Sequence, residues 1–281
     1  SMMDWYQDRS YPAILAQHAS AGTFEQPYIS TPGIGPIFEL VSLVPQPVIQ
    51  PVGLVPGMPY NYEYPGPYNN LGIPTATLWG MLFQTGDLTN LEQGNFDTVF
   101  FDVVLRDGTY TALEQAIGAQ PTFMTMWIGS NDVLPAVLAA TPIDGITMTP
   151  VDLFEQQYQQ VLGGLATMTA ADIVVLNLPD SSSIPFVTAV SNYVTIPGMG
   201  TFQLMGEDGP IEDDDFITLG ASGLIAKGYG LPGGPPLPEN IDLATGAYGV
   251  ILRAEEIAVI DERTATLNGI IAATAANFGI P

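Results

Sequence analysis

Asn131 and Asp132 are the side chains of this 281-residue chain best placed for chemistry, because of what precedes them. Phe123 to Ile128 is a mostly apolar run interrupted only by Thr125, and Gly129 then permits a sharp turn into Ser130, Asn131 and Asp132. An apolar strand that stops abruptly in polar residues delivers them to a sheet edge, where α/β enzymes place their sites. Asn131 offers an amide donor at that edge, a group suited to holding negative charge as it develops. Asn131 and Asp132 are also favoured caps for a following helix, and the two roles are compatible.

The string Gly129-Ser130-Asn131-Asp132 resembles the third sequence block of the SGNH/GDSL esterase and lipase family. Tyr68-Asn69-Asn70-Leu71-Gly72-Ile73-Pro74 resembles that family's second block, in which an Asn-x-Gly turn presents a backbone N–H. Arg9-Ser10-Tyr11-Pro12-Ala13-Ile14-Leu15, Phe24-Glu25-Gln26-Pro27, Thr111-Ala112-Leu113-Glu114-Gln115-Ala116 and Asn177-Leu178-Pro179-Asp180 resemble an acidic, Pro-rich bacterial branch of it. The resemblance implies a serine ester hydrolase in which the Gly72 N–H and the Asn131 amide are oxyanion-hole donors. It sets Asn70, Gly129 and Asp132 beside them in support. Losing one such donor from a working enzyme lowers the rate by about 10²–10³.

Two family blocks have no match in this chain, and they are the reactive ones. No Gly-Asp-Ser occurs, so the family's nucleophilic serine has no counterpart, and no Asp-x-x-His occurs to carry the base. A serine hydroxyl attacks poorly until a base takes its proton, so the chain has no evident acyl-transfer machinery of its own. The one histidine, His18, lies in a short helical-looking segment without an acidic neighbour, and reads as solvated or structurally satisfied. Ser181-Ser182-Ser183 follows a strand end, where turn chemistry accounts for it. Two functions therefore stay open: the larger part of an SGNH-type esterase or lipase, and a non-catalytic relative that binds lipid or glycan. Either implies an acyl ester or lipid ligand.

Charge narrows the partners. With 29 acidic residues against 5 Lys and Arg, the formal net charge is −24, which disfavours nucleic acid and anionic membranes. An acid-rich, lysine-poor surface fits a secreted protein or one working in high salt, and the high apolar content favours secretion or the periplasm. The absence of cysteine leaves no disulfide framework to read. No apolar run approaches the roughly 18 residues that span a bilayer. Glu207 to Asp215 places six carboxylates in nine residues around Gly209-Pro210. Asp213, Asp214 and Asp215 are candidate Ca²⁺ ligands there, against the simpler reading of a solvated acidic loop. No cofactor is expected.

The elements that must position Gly72 and Asn131 can be read along the chain. Residues 10–20 form a helix, and the ten prolines between Pro27 and Pro67 forbid long regular structure over 27–68. That segment, with Phe38, Leu40, Val41, Leu43, Val44, Val48, Ile49, Leu54, Val55, Tyr60, Tyr62 and Tyr64, either roofs an apolar pocket as a lid or packs as structural cover. Helices are expected over 109–119, 132–140, 150–168, 217–229 and 252–278, and buried strands over 123–128 and 171–178. Strand, helix, strand in this order makes a βαβ unit with a right-handed crossover. The chain is expected to be one domain over 1–281, a doubly wound, flavodoxin-like α/β fold with a mainly parallel sheet and a Gly/Pro-rich insertion at 187–248. In SGNH-like folds the serine strand is central, so a chain lacking it needs another segment or a second chain to fill the slot.

Overall fold

Proline at a first helical turn and short polar caps fix where several helices begin, and long-range pairing sets the rest. The computed structural model describes residues 4–34, 38–42, 47–51 and 57–280. Helices α1 (Asp4–Gln7) and α2 (Tyr11–His18) open the chain, the latter with Pro12 in its first turn. The Pro-rich segment holds an antiparallel hairpin, β1 (Phe38–Ser42) with β2 (Val48–Pro51), in which Leu40 faces Ile49. Strands of four and five residues fit between prolines that exclude anything longer. Of the expected roofing residues, Leu40, Val41, Tyr60 and Tyr62 are exposed, while Leu43, Val44, Leu54 and Val55 lie outside the described residues.

Four helices follow: α3 (Leu78–Phe83), α4 (Thr89–Glu92), α5 (Val99–Leu105) and α6 (Ala112–Gly118). Thr111 starts α6 reciprocally: its N–H donates to Glu114 Oε2 at 2.8 Å and its Oγ1 accepts the Glu114 N–H at 3.3 Å. Arg106, at a positive φ of 73° just past α5, donates to the carbonyls of Tyr62 (3.0 Å), Tyr64 (2.8 Å) and Gly66, and its guanidinium stacks 4.0 Å over the Tyr68 ring. This one side chain fastens the Tyr-rich segment to the helices.

Next come β3 (Phe123–Met126), a 3₁₀ turn at Ser130–Asp132, α7 (Leu134–Leu138), α8 (Val151–Met168) and β4 (Asp172–Val175). β3 and β4 pair in parallel, Phe123 beside Asp172 and Met126 beside Val175. Phe154, Tyr158, Val161, Leu162 and Leu165 of α8 are buried as their spacing requires, whereas Leu153 is exposed. α8 packs on α11 (Ala254–Asn277), which buries Ile260, Leu267 and Ile271 in the same core as Met126 and Ile173.

The expected doubly wound sheet is represented by this single βαβ unit; among the described residues the strands pair only two by two. The expectation of buried strands also needs correction. Met126 and Ile173 face the core, but Phe123 and Val174 are 49% and 40% exposed. Helices α8 and α11 cover one face, and on the other Tyr11 reaches across, edge-on to Trp127 at 5.5 Å and 3.2 Å from Thr125 Oγ1. Parallel sheets are normally covered on both faces.

Residues 185–252, the segment expected as an insertion with its flanks, build a separate core. The segment contains α9 (Pro185–Thr188), the hairpin β5 (Tyr193–Ile196) with β6 (Gly200–Gln203), β7 (Met205–Gly206) with β8 (Gly209–Pro210), then β9 (Phe216–Ile217), α10 (Ser222–Ile225) and β10 (Ile251–Leu252), which pairs with β9. Val194, Leu204, Ile211, Ile217, Ile225, Leu237 and Ile251 fill it. The helix expected over 217–229 shrinks to α10 after a strand residue and a 3₁₀ turn. Gly220 and Gly223 weaken helix there, and Gly228 at φ 95° ends it.

Candidate active site

The turn after β3 depends on Gly129. Its φ is 114°, and a Cβ there would sit 2.9 Å from the Phe154 ring and 3.2 Å from Leu178 Cδ2, so both conformation and space exclude a side chain. The tight turn aims Asn131 and Asp132 back toward the segment that precedes α3. Asn131 Nδ2 donates to the Ala76 carbonyl at 2.8 Å. Asp132 Oδ2 accepts the Leu78 N–H at 3.2 Å, and its Oδ1 accepts the Thr149 hydroxyl at 2.8 Å. Neither side chain caps the helix that follows, contrary to the capping expectation. They tie residues 76–78 to the end of β3 instead.

Asp132 is 2% exposed, and burial pushes its carboxyl up to about 6 despite the two hydrogen bonds that favour the charge. Its surroundings are held in turn: the Thr149 N–H donates to the Asp132 carbonyl at 2.8 Å, and Arg263 donates to the Thr149 carbonyl at 2.6 Å while pairing with Asp144 at 2.7 Å. Across the core, Asn268 of α11 grips Leu178 in both directions, with bonds of 2.7 and 3.1 Å.

Gly72 lies on an exposed turn, and its N–H donates to Asn70 Oδ1 at 3.0 Å. The second-block residues thus close on themselves. Asn70 Nδ2 donates to Gln26 Oε1 at 3.1 Å, and Asn69 and Glu25 exchange two bonds of 2.7 Å. Gln26, 1% exposed, also donates to the Gln7 carbonyl and accepts through its own carbonyl from Asn61. Gln26 is a hub that the sequence did not single out, although Phe24-Glu25-Gln26-Pro27 was among the resembling segments. Leu71, Ile73 and Ile128 each pack against the same buried cluster. No hydrogen bond joins Gly72 to Asn131 among the described residues.

Comparison with known proteins adds nothing to this geometry. No family model, curated protein or solved structure matches the chain.

Other candidate side chains are otherwise engaged. His18 is exposed at the end of α2, and its imidazole has no hydrogen bond or acidic partner among the described residues. Ser182 Oγ donates to Asp180 Oδ1 at 2.7 Å and Ser183 Oγ to the Asp180 carbonyl at 2.9 Å, which is turn chemistry. The Ca²⁺ candidates do not converge. Asp213 accepts the Tyr193 hydroxyl at 2.9 Å, Asp214 is exposed, and Asp215 pairs with Arg253 at 2.7 Å and accepts the first N–H of α11 at 2.9 Å. No group of three or more His or acidic side chains able to hold a metal occurs among the described residues. Arg253, with its second partner Glu239 at 2.6 Å, takes the place in this loop that a cation would have. A polar cavity of about 160 Å³ beside Thr75 and Thr77 is smaller than most ligand sites, which run about 300–1,000 Å³.

Proposed function

We propose that the turn after β3 is the oxyanion-binding part of an SGNH-type acyl-ester hydrolase site, in a chain that supplies neither the nucleophile nor the base. The single observation that carries this reading is how Asn131 is held. One amide hydrogen is anchored on the Ala76 carbonyl at 2.8 Å, which leaves the other to point at a ligand from a fixed position. In the same reading the doubly wound sheet is completed by a further strand along β3, from another segment or a second chain. Residues 122, 124 and 126 turn their backbone groups toward β4, since the Asp172 and Leu176 N–H groups donate to Thr122 and Met126 at 2.9 and 3.0 Å. Phe123, Thr125 and Trp127 therefore turn theirs outward, and two paired strands alone make a poor parallel sheet.

The test has two arms. A fluorophosphonate probe leaves this chain unlabelled, and labelling of any serine contradicts the claim that it carries no nucleophile. Butylphosphonate, an uncleavable mimic of the tetrahedral anion, shifts the Asn131 side-chain amide in NMR spectra. Signals that stay put throughout the titration sink the oxyanion assignment. A second reading, a non-catalytic lipid or glycan binder, draws support from the aromatic pair Tyr11 and Trp127 on the open face, which suits a sugar ring or an acyl chain.

A further inference from the structure

The chain has five cationic side chains, and four of them are committed internally. Arg9 donates to the Trp5 carbonyl at 2.9 Å and stacks on its ring, Arg106 holds backbone carbonyls, Arg253 pairs with Asp215 and Glu239, and Arg263 pairs with Asp144. The ammonium group of Lys227, the sole lysine, has no hydrogen bond, ion pair or ring contact among the described residues, although the chain carries 29 acidic residues. It stands at the rim of an apolar groove of about 370 Å³, within the size range of small-molecule sites. One wall is the β5–β6 hairpin, with Ile196, Met199 and Phe202, and the other is the loop at Leu231 and Pro232.

The groove is built into the backbone. Gly228, Gly230 and Gly233 all have positive φ, and a Cβ on Gly234 would lie 2.1 Å from the Gly228 carbonyl oxygen, so the loop closes on itself without side chains in the way. Ile196 and Leu231 pack on the buried core of the insertion and fix both walls. Met199 is 69% exposed at the hairpin tip, an apolar side chain with water as its present neighbour.

We propose that this groove binds a free medium-chain carboxylate, its head group paired with Lys227 and its alkyl chain laid between the hairpin and the Leu231–Pro232 loop. Charge decides the class of occupant. A net charge of −24 repels polyanions such as nucleic acids and clustered phosphates, so one ammonium group suits a single negative charge on a ligand held mainly by apolar contact. A neutral or cationic amphiphile would leave Lys227 without a partner. The site is independent of the ester-hydrolase reading, and either can fail without the other.

Calorimetric titration of the full chain with octanoate and decanoate, below their micelle concentrations, tests this. Saturable one-to-one binding is expected, tighter by about fourfold for each added CH₂ until the groove is filled. Lys227→Met keeps the stem and removes the charge; it is expected to weaken decanoate about tenfold and leave decanol binding unchanged. Met199→Glu, at an exposed position that the fold does not need, sets a like charge on the wall and is expected to abolish decanoate binding. Absence of saturable binding, or decanoate affinity indifferent to both substitutions, overturns the proposal.

Discussion

The insertion and the β3–β4 unit are opposite solutions to burying polar groups. In the insertion every strand is short, yet the charges that hold it are closed into one circuit. Arg253 pairs with Asp215 and Glu239 and also donates to the Pro210 carbonyl at 2.8 Å. Asp215 accepts from the Glu212 and Ala254 N–H groups, and Glu239 from the Asp208 N–H, each within 2.9 Å. The β3–β4 unit has the larger apolar core, but among the described residues the outer edge of β3 is unpaired, and Phe123 and Val174 on one face are exposed. Polar groups can thus be paired locally with little regular structure, and left unpaired where regular structure is best defined. The open region is the one that carries the candidate chemistry.

The largest effect should come from breaking the closed region. Arg253→Met leaves Asp215 and Glu239 buried without a counter-charge and is expected to cost about 3–5 kcal/mol, read as a lower midpoint in urea unfolding. A loss below about 1 kcal/mol would show that the insertion does not depend on its circuit. Gly129→Ala is next. A positive φ disfavours alanine by about 1–2 kcal/mol, and contact with the Phe154 ring adds about 1–3 kcal/mol of overpacking. Unchanged stability would mean that the turn can relax and that Asn131 is not rigidly held.

Asp132→Asn sharpens the comparison through pH. The Asp132 carboxyl titrates near 6 in the folded chain against an ordinary 3.8, so between those values the folded state holds a proton that the unfolded state has released. Its contribution to stability is therefore present in full below about 4 and is lost as the pH rises through about 6. The variant should lie within about 1 kcal/mol of the parent at pH 8 and fall behind by up to about 3 kcal/mol more at pH 4. Parallel stability curves for the two proteins would contradict this. Asn131→Ala is expected to be the mildest, about 1 kcal/mol, because it removes one partly buried hydrogen bond to Ala76.

The sequence made the βαβ unit legible because its signals are local. The apolar run from Phe123, the proline before α8 and the spacing along α8 each act over a few residues, and the turn at Gly129 follows from residue type alone. The strands β7, β8, β9 and β10 are only two residues long and leave no periodic trace, and β9 and β10 exist through partners more than thirty residues apart in the chain. Gln26, Arg253 and Glu239 were hidden for the same reason. Their roles depend on bonds spanning from 14 to 44 residues, which no spacing rule reports. At the site itself, Asn131 and Asp132 were found by position, but their tie to Ala76 and Leu78 emerged only in three dimensions.

Hydrogen exchange along β3 is the most direct measurement of the open edge beside Asn131. In the monomeric chain, the Met124 and Met126 N–H groups should be protected by β4, while those of Thr125 and Trp127 exchange orders of magnitude faster. Equal, strong protection of all four would mean that the edge is already paired, and would contradict an incomplete sheet at the candidate site.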